Sequence, residues 1–311
     1  MLSRTLSQVQ RVITNPKYAA MRFFGRFNVL RPLAVRLHHR KASLELDPSH
    51  CSIFPELDTQ AIVNALRRDG LCPGLKLPQD VVQEILDFAA SSMCYGNRLP
   101  TKGFYYSDRT AVLQDHPDIL LGSFYNISAQ CPAVKRLEED PQIRAIAAVY
   151  LNSQPILQGT HLWWSFAVDA PEQARSNAAQ MYHFDLDDYR FIKFFFYLTD
   201  VDEEGGPHVI VKGTHNCKKL AHQIKLRRFS DQEMIDEYGA DQITVVCGSS
   251  GYGFIEDTLC FHKGYPPKSQ DRLVIQVEFG LQDYGVQHSY MDTQTIRQIV
   301  LPSLSNRYNM I

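Results

Sequence analysis

Apolar and polar positions change their spacing along this chain near residue 151. Up to that point apolar residues recur at helical intervals. Ala61, Ile62, Val63 and Leu66 follow Asp58, a side chain suited to accept the first free amides of a helix, and Asp69-Gly70 marks the stop. Pro73-Gly74 predicts a turn. Pro78 opens a second helix with Val81, Val82, Ile85, Leu86 and Phe88 on one face. Residues 97–118 are irregular and rich in Tyr, Gly and Asp, which predicts a loop region partly over an active site. Two further helices are predicted over 132–139 and 141–151, the second carrying Ile143, Ile146, Ala147 and Val149.

Beyond residue 151 short β-rich runs alternate with turn residues. Strands are predicted over 162–168, 191–198, 209–212, 242–247, 253–261 and 272–279, with turns at Gly205-Gly206-Pro207 and 248–251. One helix interrupts them, opened by the capping box Ser230-Asp231-Gln232-Glu233 and stopped by Gly239. Many short strands with Gly/Pro turns predict an α+β, mainly β fold. Its core is a jelly roll of cupin type, flanked by N-terminal helices. There is no internal repeat and no low-complexity segment.

Charge separates the first 44 residues from the rest. They hold nine basic residues (Arg4 to Lys41) and no acidic one before Glu45. Subtracting these nine from 32 leaves 23 basic against 34 acidic residues, a net of −11 over the remainder. Residues 1–45 therefore read as a basic extension lying on the domain, with organellar import or a membrane-surface role as alternatives, and docking of a protein partner as another. Arg22, Arg26, Arg31 and Arg36 break up any secretory apolar stretch. The overall charge of −2 gives no reason to expect nucleic-acid binding. Seven scattered cysteines without a C-x-x-C pair argue against a disulfide framework and for a reducing, cytoplasmic compartment. No apolar run approaches the roughly 18 residues of a membrane span.

Candidate chemistry centres on 181–200, MYHFDLDDYRFIKFFFYLTD. Residues two apart on a strand share a face, so His183 and Asp185 present an imidazole and a carboxylate together. With a distant His they would complete a 2-His-1-carboxylate facial triad. A second H-x-D, His116-Pro117-Asp118, is interrupted by proline and reads as a surface turn. Candidates for the third ligand are His208, His215, His222, His262 and His288. His262 ends a β run, where the mouth of a sandwich forms. Ten residues later Arg272 opens RLVIQVEF, in which Arg272, Val274, Gln276 and Glu278 share one face. A guanidinium pointing inward calls for a carboxylate that it can grip bidentately.

The set His183-x-Asp185, GGPHVIVKGTH over 205–215, and His262 with Arg272 ten residues on resembles the phytanoyl-CoA dioxygenase-like family of Fe(II)- and 2-oxoglutarate-dependent oxygenases. The matching motifs run from about residue 161 to 279, and the first 150 residues match only loosely. The resemblance implies a double-stranded β-helix, with residues 46–311 as one oxygenase domain: helical scaffold at 58–151, jelly-roll core at about 152–285. It implies His183, Asp185 and His262 as iron ligands and Arg272 as the anchor of the distal carboxylate of 2-oxoglutarate. Lys193, which shares a face with Phe191, Phe195 and Tyr197, is an assisting or competing anchor by analogy with related families, or a snorkelling edge lysine. His215 stands in the family's G-S-H stretch as a structural turn residue, while His208 and His222 read as loop or surface residues. Tyr182 is a candidate wall of the substrate pocket, with Trp163, Trp164 and Phe184 beside it. The implied reaction consumes O2 and 2-oxoglutarate, releases succinate and CO2, and hydroxylates or desaturates a small molecule. A carboxylate at Asp185 disfavours halogenation. The rival reading is a non-catalytic or 2-oxoglutarate-independent metal-binding protein of cupin type, which has no need of Arg272.

Overall fold

A computed structural model describes residues 15–39, 51–55, 57–169, 179–225 and 227–285. The expectations on the extreme N-terminus and on His288 lie outside them.

Two short helices come first, α1 (Pro16–Phe24) and α2 (Arg31–Leu37). Helix α3 (Thr59–Asp69) starts where the Asp58 side chain accepts the Ala61 amide at 2.9 Å, and it ends at Gly70 with φ of 75°. A Cβ at Gly70 would stand 2.3 Å from Cys260 Sγ, so this cap also lets the helix end approach the β core. Strand β1 (Leu71–Lys76), helix α4 (Gln79–Ser91), β2 (Met93–Gly96), β3 (Gly103–Tyr105), α5 (Arg109–Asp115) and β4 (Leu121–Ser123) follow. Helices α6 (Pro132–Glu139) and α7 (Pro141–Leu151) occupy the predicted ranges, each with proline in its first turn. The β-rich half holds β5 (Ile156–Ser165), β6 (Phe191–Tyr197), β7 (His208–Val211), the short helix α8 (Leu220–Ile224), α9 (Asp231–Tyr238), β8 (Ile243–Val246), β9 (Tyr252–Glu256), β10 (Phe261–Gly264) and β11 (Arg272–Gly280). Among the described residues no helix is long and apolar enough to cross a membrane.

Eight strands form one antiparallel sheet in the order β1-β9-β6-β11-β5-β4-β2-β3, and β10-β7-β8 form a second. Alternation divides the large sheet. Leu273, Ile275, Val277 and Phe279 of β11, with Ile192, Phe194 and Phe196 of β6, pack in one core with Val63, Leu66, Ile85 and Ile146 of the helices. The opposite faces meet the small sheet, where Phe195, Tyr197, Phe254 and Val274 pack on Ile210 and Val246. The buried charges of the large sheet collect on this inner face. Lys193 stands opposite Glu278 of β11 and Glu256 of β9, and Arg272 opposite Ser165 of β5.

Three local expectations change. Pro73-Gly74 makes no turn. It lies in β1, an edge strand whose pairing with β9 is bulged between Pro73 and Leu75, where a missing amide is tolerated. The run 253–261 is two strands, not one. The Cys260 amide turns back to the Asp257 carbonyl at 2.9 Å, sending β9 into the large sheet and β10 into the small one. The stretch 97–118 contains β3 and α5, and its Tyr106 ring stacks on Trp164 at 3.9 Å on the helical side of the large sheet.

Candidate metal centre

An antiparallel bridge joins His183 to His262. The His183 amide donates to the His262 carbonyl at 3.0 Å and the His262 amide to the His183 carbonyl at 2.8 Å. This sets the two imidazole rings side by side, with centroids 4.3 Å apart. Asp185 is tied to the corner between β9 and β10 through its amide, which donates to the Thr258 carbonyl at 2.9 Å. Ligand atoms of His183, Asp185 and His262 lie within 4.8 Å of one another, the one such group among the described residues.

Each imidazole is oriented by a carbonyl two residues earlier. His183 Nδ1 lies 2.9 Å from the Met181 oxygen and His262 Nδ1 lies 3.0 Å from the Cys260 oxygen. A carbonyl only accepts, so Nδ1 carries the proton in both rings and each Nε2 keeps its lone pair for a metal. His183 Nε2 is 3.8 Å from Asp185 Oδ1, and His262 Nε2 is 3.6 Å from Asp185 Oδ2. Burial holds both imidazoles below their usual range, His183 well below it with help from His262 and Arg228. Burial pushes the Asp185 carboxyl up, but Lys193 and both histidines outweigh it and hold the group well below the usual carboxylate range. Neutral imidazoles with an ionised carboxylate are the protonation states that metal binding requires.

Lys193 is neither at a sheet edge nor snorkelling. It is 5% exposed on β6, between β9 and β11. Its Nζ donates to Asp185 Oδ2 at 2.8 Å and to Asp187 Oδ2 at 2.9 Å, with Glu278 Oε2 at 3.4 Å. Burial opposes its charge, and these carboxylates together hold it well above the ordinary lysine range. Burial pushes the Glu278 carboxyl well up against the pull of Lys193, and Glu256 to about 8, so Glu256 keeps its proton at neutral pH.

Arg272 differs from every other buried cation of the site. It is 6% exposed, its Nη2 donates to Ser165 Oγ at 3.1 Å, and its Nε has no hydrogen-bond partner. No ion pair to it exists among the described residues, and burial lowers its affinity for its proton. Gly264, two residues beyond His262 on β10, faces it: a Cβ there would stand 3.2 Å from Arg272 Nη2. Arg272 and His262 therefore border the same interior.

The remaining candidates fall elsewhere. His208 is not a loop residue. It is buried on β7, its ring stacked at 5.5 Å on His262 and its Nε2 2.5 Å from Glu256 Oε2. Burial and Arg272 lower it to about 3, so His208 and Glu256 are uncharged behind His262 at neutral pH. His222 is also buried, its Nδ1 2.8 Å from the Tyr238 hydroxyl. His215 packs 3.2 Å from Cys260 Sγ, outside the group of three. His116 caps α5, and Asp118 pairs with Lys102 at 2.7 Å. Tyr182 is 1% exposed in the apolar layer behind the small sheet with Val209, Phe229 and Phe261, on the face of β10 opposite His262. Phe184 packs on Phe261, Trp164 faces the helices, and Trp163 adjoins the inner cluster. Unforeseen from the sequence were the carboxylates around Lys193 and the His208–Glu256 pair. Their one signal is the inward register of Glu278, already visible in the alternation of 272–279.

The donor set fits a non-haem iron centre: two neutral imidazoles and one carboxylate converge, and a buried guanidinium with an unpartnered Nε adjoins them. No family model matches the sequence, and no curated protein does. Likeness exists at the level of structure. EvdO2 from Micromonospora carbonacea var. aurantiaca, complexed with 2-oxoglutarate, superposes with a TM-score of 0.51 at 14% identity, covering 74% of this chain and 93% of that one. The epimerase SnoN in complex with Fe3+, alpha ketoglutarate and nogalamycin RO gives 0.48 at 15%, covering 71% and 82%. HygX from Streptomyces hygroscopicus, with nickel, 2-oxoglutarate and hygromycin B bound, gives 0.47 at 14%, covering 71% and 86%. The chain thus has the mixed α and β fold of EvdO2, built on a large antiparallel sheet. None of these names is that of the phytanoyl-CoA dioxygenase-like family.

Proposed function

We propose that the protein is an Fe(II)- and 2-oxoglutarate-dependent oxygenase that hydroxylates a small organic molecule. The reading takes the two facing sheets as a double-stranded β-helix of the phytanoyl-CoA dioxygenase-like kind and residues 46–311 as a single oxygenase domain. His183, Asp185 and His262 hold the metal. Iron with 2-oxoglutarate and O2 supplies the oxidising chemistry when bound, and 2-oxoglutarate leaves as succinate and CO2.

The chain's own residues position and insulate that chemistry. The Met181 and Cys260 carbonyls hold the Nδ1 protons, so both Nε2 atoms keep the lone pairs that would bind the metal. Lys193 engages Oδ2 of Asp185 and leaves Oδ1 open. Arg272 offers its fork to the far carboxylate of 2-oxoglutarate, and Gly264 leaves room for it. Phe195, Tyr197 and Val274 line the interior with apolar surface that keeps water out.

The observation that carries this reading is Arg272, a buried guanidinium with an unpartnered Nε and no carboxylate of its own beside a two-His, one-Asp group. A metal-binding protein of cupin type that uses no 2-oxoglutarate would leave that charge uncompensated, a cost it has no reason to carry. Lys193, occupied by three carboxylates, is the weaker anchor. Anaerobic protein with Fe(II) and 2-oxoglutarate is expected to develop a visible metal-to-ligand charge-transfer band, absent in Asp185→Ala. Arg272→Gln is expected to weaken 2-oxoglutarate binding by about 1.5–3 kcal/mol, roughly ten- to a hundredfold. A wild-type protein without the band, or an undiminished band in Asp185→Ala, overturns the assignment.

A further inference from the structure

Eleven large hydrophobic side chains are exposed among the described residues, and eight of them share one region. Phe23, Phe24, Val29, Leu30, Leu33 and Leu37 stand on α1, α2 and the turn between them, Leu37 being 75% and Val29 84% exposed. Leu30, Leu33 and Leu37 follow one another at helical spacing, so α2 turns an apolar stripe outward. Leu220 and Ile224, one turn apart on α8, extend the surface. The two parts meet where Asn28 donates to Gln223 Oε1 at 3.0 Å and to the Asn216 carbonyl at 2.8 Å.

This surface does not belong to loosely attached helices. Tyr18, Met21 and Val35 are buried beneath it, and the Asn15 side chain donates to the Tyr284 carbonyl at 2.6 Å. His38 stacks on Tyr189 at 5.3 Å, and Arg31 donates to the His215 carbonyl. The helices are thus held by one face, and among the described residues no other element covers the exposed apolar side chains on the other.

The charges of the same segment have one sign. Residues 15–39 contain Lys17, Arg22, Arg26, Arg31 and Arg36 and no acidic residue, in a chain whose part beyond residue 44 is net negative. Lys17 on α1 and Arg36 on α2 are exposed, and so is Lys225, which follows α8. The carboxylates of the adjoining helix α9 that reach this side, Glu237 and Glu233, are already engaged by Lys219 and Arg227. A second copy of the chain is a poor occupant, because a two-fold contact would set these arginines against their own images. Outward phenylalanines and leucines on a segment whose own charges are all basic match an anionic lipid surface, whose headgroups take the cations while its acyl boundary takes the apolar tips.

We infer that α1, α2 and α8 form a docking surface by which the protein lies on anionic phospholipid membranes. The contact is peripheral. Its apolar part is small, so binding depends on the negative headgroups and weakens with salt.

Flotation of the full-length protein with phosphatidylcholine–phosphatidylglycerol vesicles, against pure phosphatidylcholine vesicles, tests this. The protein is expected to float with the anionic vesicles alone and to be released by high salt. Lys17→Gln with Arg36→Gln, both exposed, is expected to lower the bound fraction about tenfold or more. Leu33→Ser with Leu37→Ser is expected to abolish flotation while leaving thermal unfolding and the response to Fe(II) and 2-oxoglutarate unchanged. Absence of the protein from the anionic vesicles at low salt overturns the inference. So does flotation that ignores both double variants. Lipid-free self-association, seen by light scattering and lost in Leu33→Ser with Leu37→Ser, also overturns it, by assigning the face to a second copy.

Discussion

Lys193 Nζ lies 2.8 Å from Asp185 Oδ2, a buried ammonium bonded to the carboxylate of the candidate metal group. Asp185 Oδ1 is left facing His183 Nε2 at 3.8 Å. One amine thus does two things: it holds the Asp185 carboxylate through Oδ2, which sets the orientation in which Oδ1 faces His183 and Oδ2 faces His262, and it offsets the charge of Asp187 at 2.9 Å. Lys193→Met keeps the length of the side chain and removes the charge. It is expected to weaken Co(II) or Fe(II) binding about 10- to 100-fold, the usual effect of losing a partner that orients a ligand. It is also expected to cost about 3–5 kcal/mol of stability, because Asp185, Asp187 and Glu278 are then left without their cation. Metal titration and urea unfolding measure the two effects. Intact metal affinity with lost 2-oxoglutarate affinity would instead make Lys193 the co-substrate anchor.

Gly264 and Arg272 make a second such pair. A Cβ at position 264 would stand 3.2 Å from Arg272 Nη2, and a larger side chain would occupy the space in front of the guanidinium. Gly264→Val is expected to raise the 2-oxoglutarate dissociation constant at least about tenfold, comparable to losing one charged hydrogen bond. Co(II) affinity is expected to stay unchanged, since His262 lies two residues away with its ring held by Cys260. Equal loss of both affinities would show general damage to β10.

Residue type and alternation make much of this arrangement legible. Arg272 stands out because β11 carries a period of two. His183 and Asp185 stand out because they are two apart just ahead of the apolar run of β6, though in the structure they precede that strand, His183 in an isolated bridge and Asp185 in a loop. Helices α3, α6 and α7 announce themselves through Asp58, Gly70 and proline at their first turns. What stays hidden depends on pairing between distant segments. Nothing local says that Lys193 faces Glu278 and Glu256, because that follows from β6 lying between β11 and β9. His208 looks like a turn residue after Gly205-Gly206-Pro207, yet β7 pairs with β10 and carries it against His262. The run 253–261 reads as one strand because its corner is made by an Asp257 turn without glycine or proline.

The protonation states of the site define a pH response. His183 and His262 are both lowered from 6.5, and Asp185 from 3.8. Protons therefore compete with metal only below the usual imidazole range. Co(II) affinity is expected to be nearly flat as pH falls from about 7.5 to about 6.5 and to drop only below that. The metal-free protein has the linked property. Its unfolded histidines take up protons near 6.5, whereas the folded ones, with His208 at about 3, do not. Their contribution to stability is thus fully present above 6.5 and is lost as pH falls toward the folded values. A tenfold fall in Co(II) affinity per pH unit beginning above 6.5 would contradict the burial argument.

Asp188 follows Asp187 in the chain and faces the other way. It is fully buried, and its carboxylate accepts from the Leu281 and Gln282 amides at 2.7 and 2.8 Å, the Gln158 side chain at 2.9 Å and the Tyr284 hydroxyl at 3.1 Å. These contacts tie the turn before β6 to the end of β11, and through Tyr284 to α1, whose cap Asn15 bonds the Tyr284 carbonyl. Asp188→Ala strands several buried donors at once. Each unsatisfied group costs about 1–3 kcal/mol, so a loss of at least about 3 kcal/mol is expected in urea unfolding. Asp188→Asn keeps one acceptor oxygen and is expected to lose less. Because Asp188 lies outside the metal group, whatever folded protein remains is expected to bind Co(II) with wild-type affinity. Native-state hydrogen exchange of the Leu281 and Gln282 amides locates the effect: their protection is expected to collapse while that of Ile275 at the centre of β11 persists. Uniform loss of protection along β11 would mean that Asp188 supports the whole sheet rather than its end.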